Sequence, residues 1–348
     1  MSGTTAMGES NVILLGMGNP LLDISADVPM SLLEKYSVAL NNAILAEEQH
    51  LPLYKELIES YPVKYIAGGA TQNSIRVAQW MMPQTPGATA YMGCVGADVF
   101  GDQLAECAAA DGVITHYQRD AETPTGTCAV LVHGGERSLV ANLSSANKFS
   151  GAHLETPAAA ALIESSRVFY VAGFFLTVSV DAILKVGSHA AANRKIFALN
   201  LSAPFLVQFF ADQMAAALPY ADYVFGNESE AEALGEKKGW GKDIKEVALK
   251  LAATAKASGT RARTVVFTQG SGATVVAAGG AVTEFPVEPL AADKLVDTNG
   301  AGDAFVGGFL SQLVAGKELA ECVRAGHFAA RTVIQCSGCT FPAQCEFA

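Results

Sequence analysis

Short runs of consecutive apolar residues alternate along this chain with segments in which apolar residues recur every three or four positions. Continuous apolar runs are typical of buried strands, and the wider period is typical of amphipathic helices. The runs predict strands over 12–16, 88–93, 168–173, 196–201, 223–226 and 264–268. The periodic segments predict helices over 71–82, 101–110, 180–192, 204–218, 244–257, 301–314 and 319–335. This alternation indicates an α/β fold with a mostly parallel central sheet and helices on both faces.

Two regions, 22–67 and 123–142, do not follow the alternation. Both have the pattern of short strands and turns, and Gly134-Gly135-Glu136 predicts a hairpin between strands at 127–133 and 139–142. We expect these two regions to form a small β lid projecting from one edge of the main sheet. Nothing divides the remainder, so residues 11–348 are expected to form a single unit after a flexible N-terminus at 1–10.

Composition narrows the choice of function. The 348 residues are 50% hydrophobic and carry a formal net charge of −11, which argues against binding to nucleic acids or anionic membranes. The N-terminus lacks a secretion signal and no segment is long and apolar enough to span a bilayer, so a cytoplasmic location is expected. The seven cysteines are scattered, as expected of reduced thiols, and Cys336 and Cys339 alone make a poor zinc site.

The segment Asp-Thr-Asn-Gly-Ala-Gly-Asp-Ala-Phe at 297–305 combines a glycine-rich turn, an acid and the start of a helix. Glycines allow backbone N–H groups to approach an anion, and a helix N-terminus favours phosphate. The carboxylate of Asp303 is suited to accept a proton from an attacking hydroxyl, which indicates phosphoryl transfer to an alcohol. The alternative is an acid placed there only by the helix dipole. The segment has neither the Walker sequence nor the dinucleotide fingerprint.

Two further motifs lie near the N-terminus. Asn19 and Asp23 lie just after the first strand, where Asp23 could bind two vicinal hydroxyls of a sugar or serve only as a turn residue. The glycine turn at 67–70 leads into a helix and places the amide of Asn73 near any ligand that it admits. A simple helix entry is the alternative for this turn.

The second half of the chain contains candidate nucleotide and metal ligands. Asn227 and Glu230, three residues apart at a helix start, suit Mg²⁺ held largely through water, and equally a capping box. Thr268 and Gly270 form a further turn where a nucleotide could bind. His327 lies in an apolar helix, which favours a packed histidine over a contact with the nucleotide.

Apolar side chains at strand ends could form a slot for a flat base, although such residues more often belong to the core. The candidates are Leu21, Phe174, Phe175 and Phe205.

Four motifs in order carry a resemblance to a known family. They are Gly-Asn-Pro-Leu-Leu-Asp at 18–23, Gly-Gly-Ala-Thr-Gln-Asn-Ser at 68–74, Asn-Glu-Ser-Glu at 227–230 and Asp-Thr-Asn-Gly-Ala-Gly-Asp at 297–303. Together they resemble the ribokinase-like (PfkB) sugar and nucleoside kinases over 12–342. The segments 77–80, 172–177, 200–205 and 338–342 are similar to the branch of that family that acts on adenosine.

The resemblance implies a ribokinase-like three-layer sandwich with a small β lid. It also implies ATP-dependent phosphorylation of the 5′-hydroxyl of adenosine to AMP, a step of purine salvage. ATP would be the co-substrate and Mg²⁺ the cofactor, and a monovalent-cation requirement is left open. We expect a monomer whose partners are adenosine and ATP.

The resemblance also assigns roles to residues. Asp303 is implied as the general base, the amides of Gly300, Ala301 and Gly302 as the anion hole, and Arg137 as a lid residue that reaches the phosphates. The implied nucleoside contacts are Asn19, Leu21, Asp23, Gly69, Ala70, Asn73, Cys128, Phe174, Phe205 and Asn299. The implied ATP contacts are Asn227, Thr268, Gly270 and His327, with Asn227 and Glu230 also organising Mg²⁺.

Two departures from the family pattern bear on selectivity. Asn42-Ala43 stands where relatives commonly carry Asp-Gln, and Ala70 replaces a common serine. Both changes could loosen selectivity for the base. The competing functions are a sugar kinase of the same family, such as a ribokinase or fructokinase, and a catalytically silent nucleoside-binding protein. A free sugar does not need the aromatic slot, and a silent protein is expected to have lost Asp303.

Overall fold

The computed structural model describes residues 12–40, 42–134, 136–257 and 261–347. The segment at 1–10, expected to be flexible, lies outside these residues. The strands are β1 Leu14–Met17, β2 Leu21–Asp27, β3 Ala43–Leu45, β4 Lys64–Gly68, β5 Thr89–Met92, β6 Cys94–Gly96, β7 Ile114–Thr115, β8 Gln118–Asp120, β9 Thr127–His133, β10 Glu136–Asn142, β11 Val168–Ala172, β12 Ile196–Asn200, β13 Tyr223–Asn227, β14 Thr264–Gln269, β15 Gly272–Ala278 and β16 Ala281–Phe285. The helices are α1 Met30–Lys35, α2 Leu51–Ser60, α3 Ala70–Trp80, α4 Val99–Ala110, α5 Pro157–Ser165, α6 Val180–Ala192, α7 Pro204–Phe209, α8 Ala211–Ala217, α9 Glu228–Lys238, α10 Ile244–Ala252, α11 Ala301–Val314 and α12 Leu319–Val333.

A nine-stranded sheet forms the centre of the molecule. Its order is β16-β15-β14-β13-β12-β11-β1-β5-β7, and its strands are parallel except for the antiparallel pairs that β15 makes with β14 and β16. Successive residues of a strand point to opposite faces, so Leu14 packs with α3, α11 and α12 whereas Leu15 packs with α6, α9 and α10. The three-layer α/β sandwich expected from the sequence is therefore confirmed.

A second, five-stranded sheet is built from the two regions that broke the alternation. Its order is β3-β10-β9-β2-β4, with β9 and β10 paired as the antiparallel hairpin that the sequence predicts. The tip residue Gly135 lies outside the described residues. The prediction of strands and turns alone over 22–67 is wrong, because α1 and α2 lie there. Their apolar residues, including Leu33, Leu53 and Leu57, are buried against this sheet, and tertiary packing stabilises these short helices.

Several boundaries also differ from the predictions. The predicted helix 204–218 is two helices, because the backbone leaves helical geometry at Phe210 (φ −116°, ψ 34°). The predicted helix 244–257 ends at Ala252. The sequence patterns missed α5 and the β15–β16 pair, which extends the main sheet beyond β14. Among the described residues, none of these helices has both the length and the apolar character that crossing a bilayer requires.

Candidate active site

A polar cavity of about 180 Å³ opens where the strands β12, β13 and β14 end and α11 begins. Ligands of parallel sheets bind at this edge because the loops after the strands converge there. Eight of the residues that the sequence singled out line the cavity: Ala70, Phe174, Asn227, Glu230, Thr268, Gly300, Gly302 and Asp303. We therefore take this cavity as the candidate active site.

The glycine turn at the start of α11 has the geometry of an anion site. Gly300 caps the helix with a left-handed backbone (φ 79°, ψ −3°), which glycine adopts without strain. The amide of Ala301 donates to the carbonyl of Thr298 at 3.2 Å, so it is already engaged. Since the first N–H groups of a helix have no acceptor within it, the amides of Gly300 and Gly302, on either side of Ala301, are the ones available to an anion. Gly302 is exposed and a side chain there would meet nothing within 4 Å.

Asp303 stands in the first turn of α11 with its carboxylate directed into the cavity. Burial, with a smaller contribution from the negative charge of Asp23, raises the pKa of Asp303 to about 7. The side-chain amide of Asn73 donates to Asp303 Oδ2 at 3.1 Å, which acts in the opposite direction by favouring the ionised form. A carboxylate with a near-neutral pKa is suited to act as a general base.

A second partly buried carboxylate, Asp23, lies on β2 of the small sheet next to the turn that precedes α3. A Cβ at Gly68 would lie 2.6 Å from Cγ of Asp23, and one at Gly69 would overlap the carbonyl oxygen of Asn19. Gly69 also has a φ of 95°, which favours glycine. Burial raises the pKa of Asp23 to about 7, and the positive charges of two arginines, Arg76 and Arg137, lower it. Glycine at 68 therefore makes room for the carboxylate of Asp23, and glycine at 69 makes room for the carbonyl of Asn19.

Arg137 on β10 is held by an acidic partner. Its Nε lies 3.1 Å from Oδ2 of Asp297, and both side chains are about 7% exposed. Asp297 also accepts hydrogen bonds from the amide of Asn299 at 2.9 Å and from that of Gly338 at 3.1 Å. The structure therefore ties the small sheet to the loop before α11, and Asn299 serves that loop through its backbone.

Asn227 and Glu230 form a capping box at the start of α9. The amide of Glu230 donates to Asn227 Oδ1 at 2.9 Å, and the amide of Asn227 donates to Glu230 Oε2 at 3.0 Å. Glu230 is nevertheless buried at the cavity wall, and burial raises its pKa to about 7. The capping-box interpretation is thus confirmed. The box uses Oε2 of Glu230, and the other carboxylate oxygen takes no part in it.

The aromatic pair and its apolar neighbours lie beside this cavity. The rings of Phe174 and Phe205 are 6.3 Å apart, tilted by 45°, and 37% and 44% exposed. Cys128 is buried on β9, where it is paired with Asp23 of the neighbouring strand β2. Asn19 Oδ1 is buried and has no hydrogen-bond partner among the described residues. Such an acceptor is costly unless a ligand or water satisfies it.

The remaining predicted nucleotide residues divide into two groups. Thr268 lines the cavity, and Gly270 (φ 54°) makes the tight turn between β14 and β15. His327 instead lies 2.8 Å from Oγ1 of Thr274 through Nε2 and packs against Phe305. The packing interpretation of His327 is therefore the one that the structure supports.

The sequence patterns missed two polar residues of the cavity wall, Asn200 and Ser202. Asn200 Oδ1 accepts from the Ser202 amide at 2.9 Å, and Ser202 Oγ accepts from the Gly173 amide at 2.7 Å. Ser202 has a left-handed backbone (φ 67°), which is uncommon for a residue other than glycine. Their position directly after β12 was the signal that could have identified them.

Comparison with known proteins gives a consistent result. A family model described as pfkB family carbohydrate kinase matches residues 30–345. Adenosine kinase 1 of Arabidopsis thaliana is 57% identical, over 98% of this chain and 99% of its own length. A crystal structure of Anopheles gambiae adenosine kinase with P1,P4-di(adenosine-5) tetraphosphate is 50% identical, with a TM-score of 0.87 over 96% of this chain and 99% of that chain. Adenosine kinase from Schistosoma mansoni in complex with adenosine and AMP is 37% identical, with a TM-score of 0.84 over 94% and 97%.

Proposed function

This chain belongs to the pfkB family of carbohydrate kinases, and we propose that within it the chain is an adenosine kinase, which transfers the γ-phosphoryl group of ATP to the 5′-hydroxyl of adenosine. The observation that carries the proposal is a pair of partly buried carboxylates: Asp303 lines the cavity at the glycine turn that begins α11, and Asp23 packs against Gly68 just before α3. One would hold the sugar while the other receives a proton. The relatives named adenosine kinase support the choice of nucleoside.

Asp303 would act as the general base. As the 5′-oxygen forms its bond to the γ-phosphorus, the carboxylate accepts the hydroxyl proton and the bond from that phosphorus to the bridging oxygen breaks, releasing ADP. Negative charge on the transferring group is stabilised by N–H groups of the turn at Gly300 and Gly302. Because the Ala301 amide is engaged by Thr298, we assign Ala301 a structural part in shaping the turn.

Asp23 would bind the ribose. Its two carboxylate oxygens can accept from two vicinal hydroxyls, and the lack of a Cβ at Gly68 lets the carboxylate adopt its position. The unpartnered Oδ1 of Asn19 is an acceptor available to the exocyclic amine of adenine. Phe174 and Phe205 would flank the base, with Leu21, Ala70 and Cys128 completing the apolar wall.

The chemistry of the residues near Glu230 fits Mg²⁺ held mainly through water. Asn227 Oδ1 already accepts from the Glu230 amide and from Ser229 Oγ, so Glu230 would contribute the carboxylate oxygen that the capping box does not use. Mg²⁺ prefers few protein oxygens together with waters and phosphates. The described residues contain no cluster of three or more His, Cys, Asp or Glu that could hold a metal by themselves. When bound with ATP, the ion supplies charge neutralisation at the phosphates, and Thr268 and Gly270 would contact the nucleotide.

The small sheet would act as the lid. Its β10 supplies Arg137, placed by Asp297 beside the turn of α11, and closure would exclude water that competes with the 5′-hydroxyl. The cysteines of the described residues are free, which supports a reducing compartment such as the cytoplasm.

The activity should fall on the acidic side of neutrality. Burial raises the pKa of both Asp303 and Asp23 to about 7, and each is needed in its ionised form, one to accept a proton and the other to accept two hydrogen bonds. We expect kcat/KM for adenosine to fall at least about tenfold per pH unit below that value. The measurement is the pH profile from 5.5 to 8.5 at saturating ATP. A flat profile over this interval contradicts the assignment of both carboxylates.

The proposed function is tested by ADP release in the presence of adenosine, inosine, guanosine, ribose or fructose. We expect adenosine to be the preferred acceptor, because the aromatic slot and Asn19 are of no use to a free sugar. Transfer to ribose or fructose but not to adenosine would make the protein a sugar kinase. Adenosine binding without ADP release from any acceptor would make it a catalytically silent binding protein.

A further inference from the structure

One buried guanidinium, that of Arg76 on α3, lies behind the proposed site without lining its cavity. Arg76 is 4% exposed, and its Nε lies 2.6 Å from Oδ2 of Asp111. Its Nη1 donates to the carbonyl of Ala67 at 2.6 Å, to that of Cys339 at 3.1 Å and to Asn73 Oδ1 at 3.4 Å. These partners come from four parts of the chain. Two of them are next to the site carboxylates: Asn73 donates to Asp303, and Ala67 precedes Gly68, which packs against Asp23.

The contact between Arg76 and Asn73 fixes which end of the Asn73 amide faces Asp303. A guanidinium can only donate, so it selects the oxygen end of the amide. The nitrogen end is then left to donate to Asp303 Oδ2, at 3.1 Å. An ionised carboxylate can only accept, so the reversed amide would place two acceptors against each other. Arg76 therefore favours the orientation of Asn73 that supports the ionised form of Asp303.

The contact with Ala67 fixes the backbone on which the sugar site is built. Ala67 immediately precedes Gly68, whose missing side chain makes room for the carboxylate of Asp23, and Gly69, which packs against the carbonyl of Asn19. The contact with Cys339 holds the C-terminal segment in place. Cys339 packs closely against Gly300, because a Cβ added to Gly300 would lie only 3.1 Å from the Cβ of Cys339. A single side chain thus holds the walls around both carboxylates.

Arg76 also acts through its charge. Its positive charge is the main influence that lowers the pKa of Asp23 against burial, with Arg137 second. Loss of that charge would raise the pKa of Asp23 further, so less of it would be ionised at neutral pH. The other titratable groups near Asp23 belong to β9, α11 and the C-terminal segment: Cys128, Asp303 and Cys339.

We propose that Arg76 is a positioning residue for phosphoryl transfer, which orients Asn73 toward Asp303 and keeps Asp23 able to accept hydrogen bonds from the sugar. This inference rests on the proposed function of the two carboxylates. Arg76 itself is not among the residues that line the cavity.

The test compares Arg76→Met and Arg76→Lys with the unaltered protein, by two measurements. The first is adenosine binding without ATP by calorimetry, as a function of pH. The second is kcat at pH 8.5. Adenosine affinity should fall at low pH, and we call this fall the acidic limb. Arg76→Met is expected to shift the midpoint of the acidic limb to a higher pH by roughly one unit, as loss of a nearby opposite charge does. Arg76→Lys is expected to keep that limb but to lower kcat by about 10- to 100-fold, because an ammonium cannot hold three partners in a fixed fork.

The matched control is Arg263→Lys. Arg263 is also fully buried and donates to backbone carbonyls, including those of Leu218 and Leu251, at a distance from the site. This variant should have a lower melting temperature, but the acidic limb of adenosine binding and kcat should be unchanged.

The outcomes separate this inference from the function on which it rests. If Arg76→Met does not fold, Arg76→Lys decides by its kcat. Arg76→Lys with unaltered kcat, or Arg76→Met with an unaltered limb, overturns the role of Arg76 while leaving the kinase proposal standing. If the unaltered protein neither binds nor phosphorylates adenosine, both proposals are refuted.

Discussion

Replacing Asp303 with asparagine is expected to lower kcat for adenosine phosphorylation by about 10²- to 10⁴-fold, the usual contribution of a general base. The amide has nearly the shape of the carboxylate, but it cannot accept the hydroxyl proton. Adenosine does not depend on Asp303 for its ground-state contacts, so its dissociation constant should change by less than about threefold. The measurements are steady-state ADP release and calorimetric binding of adenosine.

The fold should tolerate this change. Burial raises the pKa of Asp303 from 3.8 to about 7, so the folded protein binds this proton more tightly than the unfolded chain does. Stability from this group is therefore present at low pH and falls as the pH rises toward 7. An uncharged amide removes that loss, and the melting temperature of Asp303→Asn at pH 8 should not be below that of the unaltered protein.

Asp212 provides the matched control for Asp303. It is also an aspartate in the first turn of a helix, α8, but it is exposed and lies outside the cavity. Asp212→Asn should retain full turnover. Near-normal turnover by Asp303→Asn would refute the assignment of the base.

Replacing Asp23 with alanine should act on nucleoside binding. Each hydrogen bond to a charged acceptor contributes about 1.5–3 kcal/mol, so the loss of two should raise KM for adenosine by about 10²-fold or more. Binding of ATP should be unaffected, because Asp23 lies on the small sheet, away from the turn at Thr268. The measurement is KM for each substrate with the other held at saturation.

Nucleosides that lack one hydroxyl make this prediction specific. The unaltered protein should discriminate against 2′-deoxyadenosine and 3′-deoxyadenosine, whereas Asp23→Ala should accept them about as well as adenosine. Asp27→Ala is the control, because Asp27 ends the same strand with an exposed side chain. Equal discrimination by Asp23→Ala and the unaltered protein would show that Asp23 does not bind the hydroxyls.

The sequence was informative wherever the signal was local. Continuous apolar runs predicted the parallel strands because both faces of those strands are buried, and the helix at 301–314 was predicted with its observed bounds. Asp303 and the turn at Gly300 could be recognised because a phosphate-binding turn and its acid lie within a few residues. Helices α1 and α2 were missed because they are short and are stabilised by packing against the small sheet rather than by a long amphipathic pattern.

Contacts between distant parts of the chain could not be predicted in the same way. Asn73 and Asp303 are 230 residues apart, and Arg76 and the carbonyl of Cys339 are 263 residues apart. No pattern along the sequence specifies which donor meets which acceptor when α3, α11 and the C-terminal segment pack together. The same applies to Arg137, whose ion pair with Asp297 depends on how the small sheet sits against the loop before α11.

The central claim is that a 5′-hydroxyl of adenosine is the group phosphorylated in this cavity. The most direct test is to incubate the unaltered protein with ATP and Mg²⁺ and either adenosine or 5′-deoxyadenosine, measuring ADP release and identifying the product by ³¹P NMR. We expect adenosine to give one 5′-AMP for each ADP, and 5′-deoxyadenosine to give no ADP above the acceptor-free background. ADP release with 5′-deoxyadenosine at the same rate, or a product phosphorylated at the 2′- or 3′-oxygen, would contradict the account.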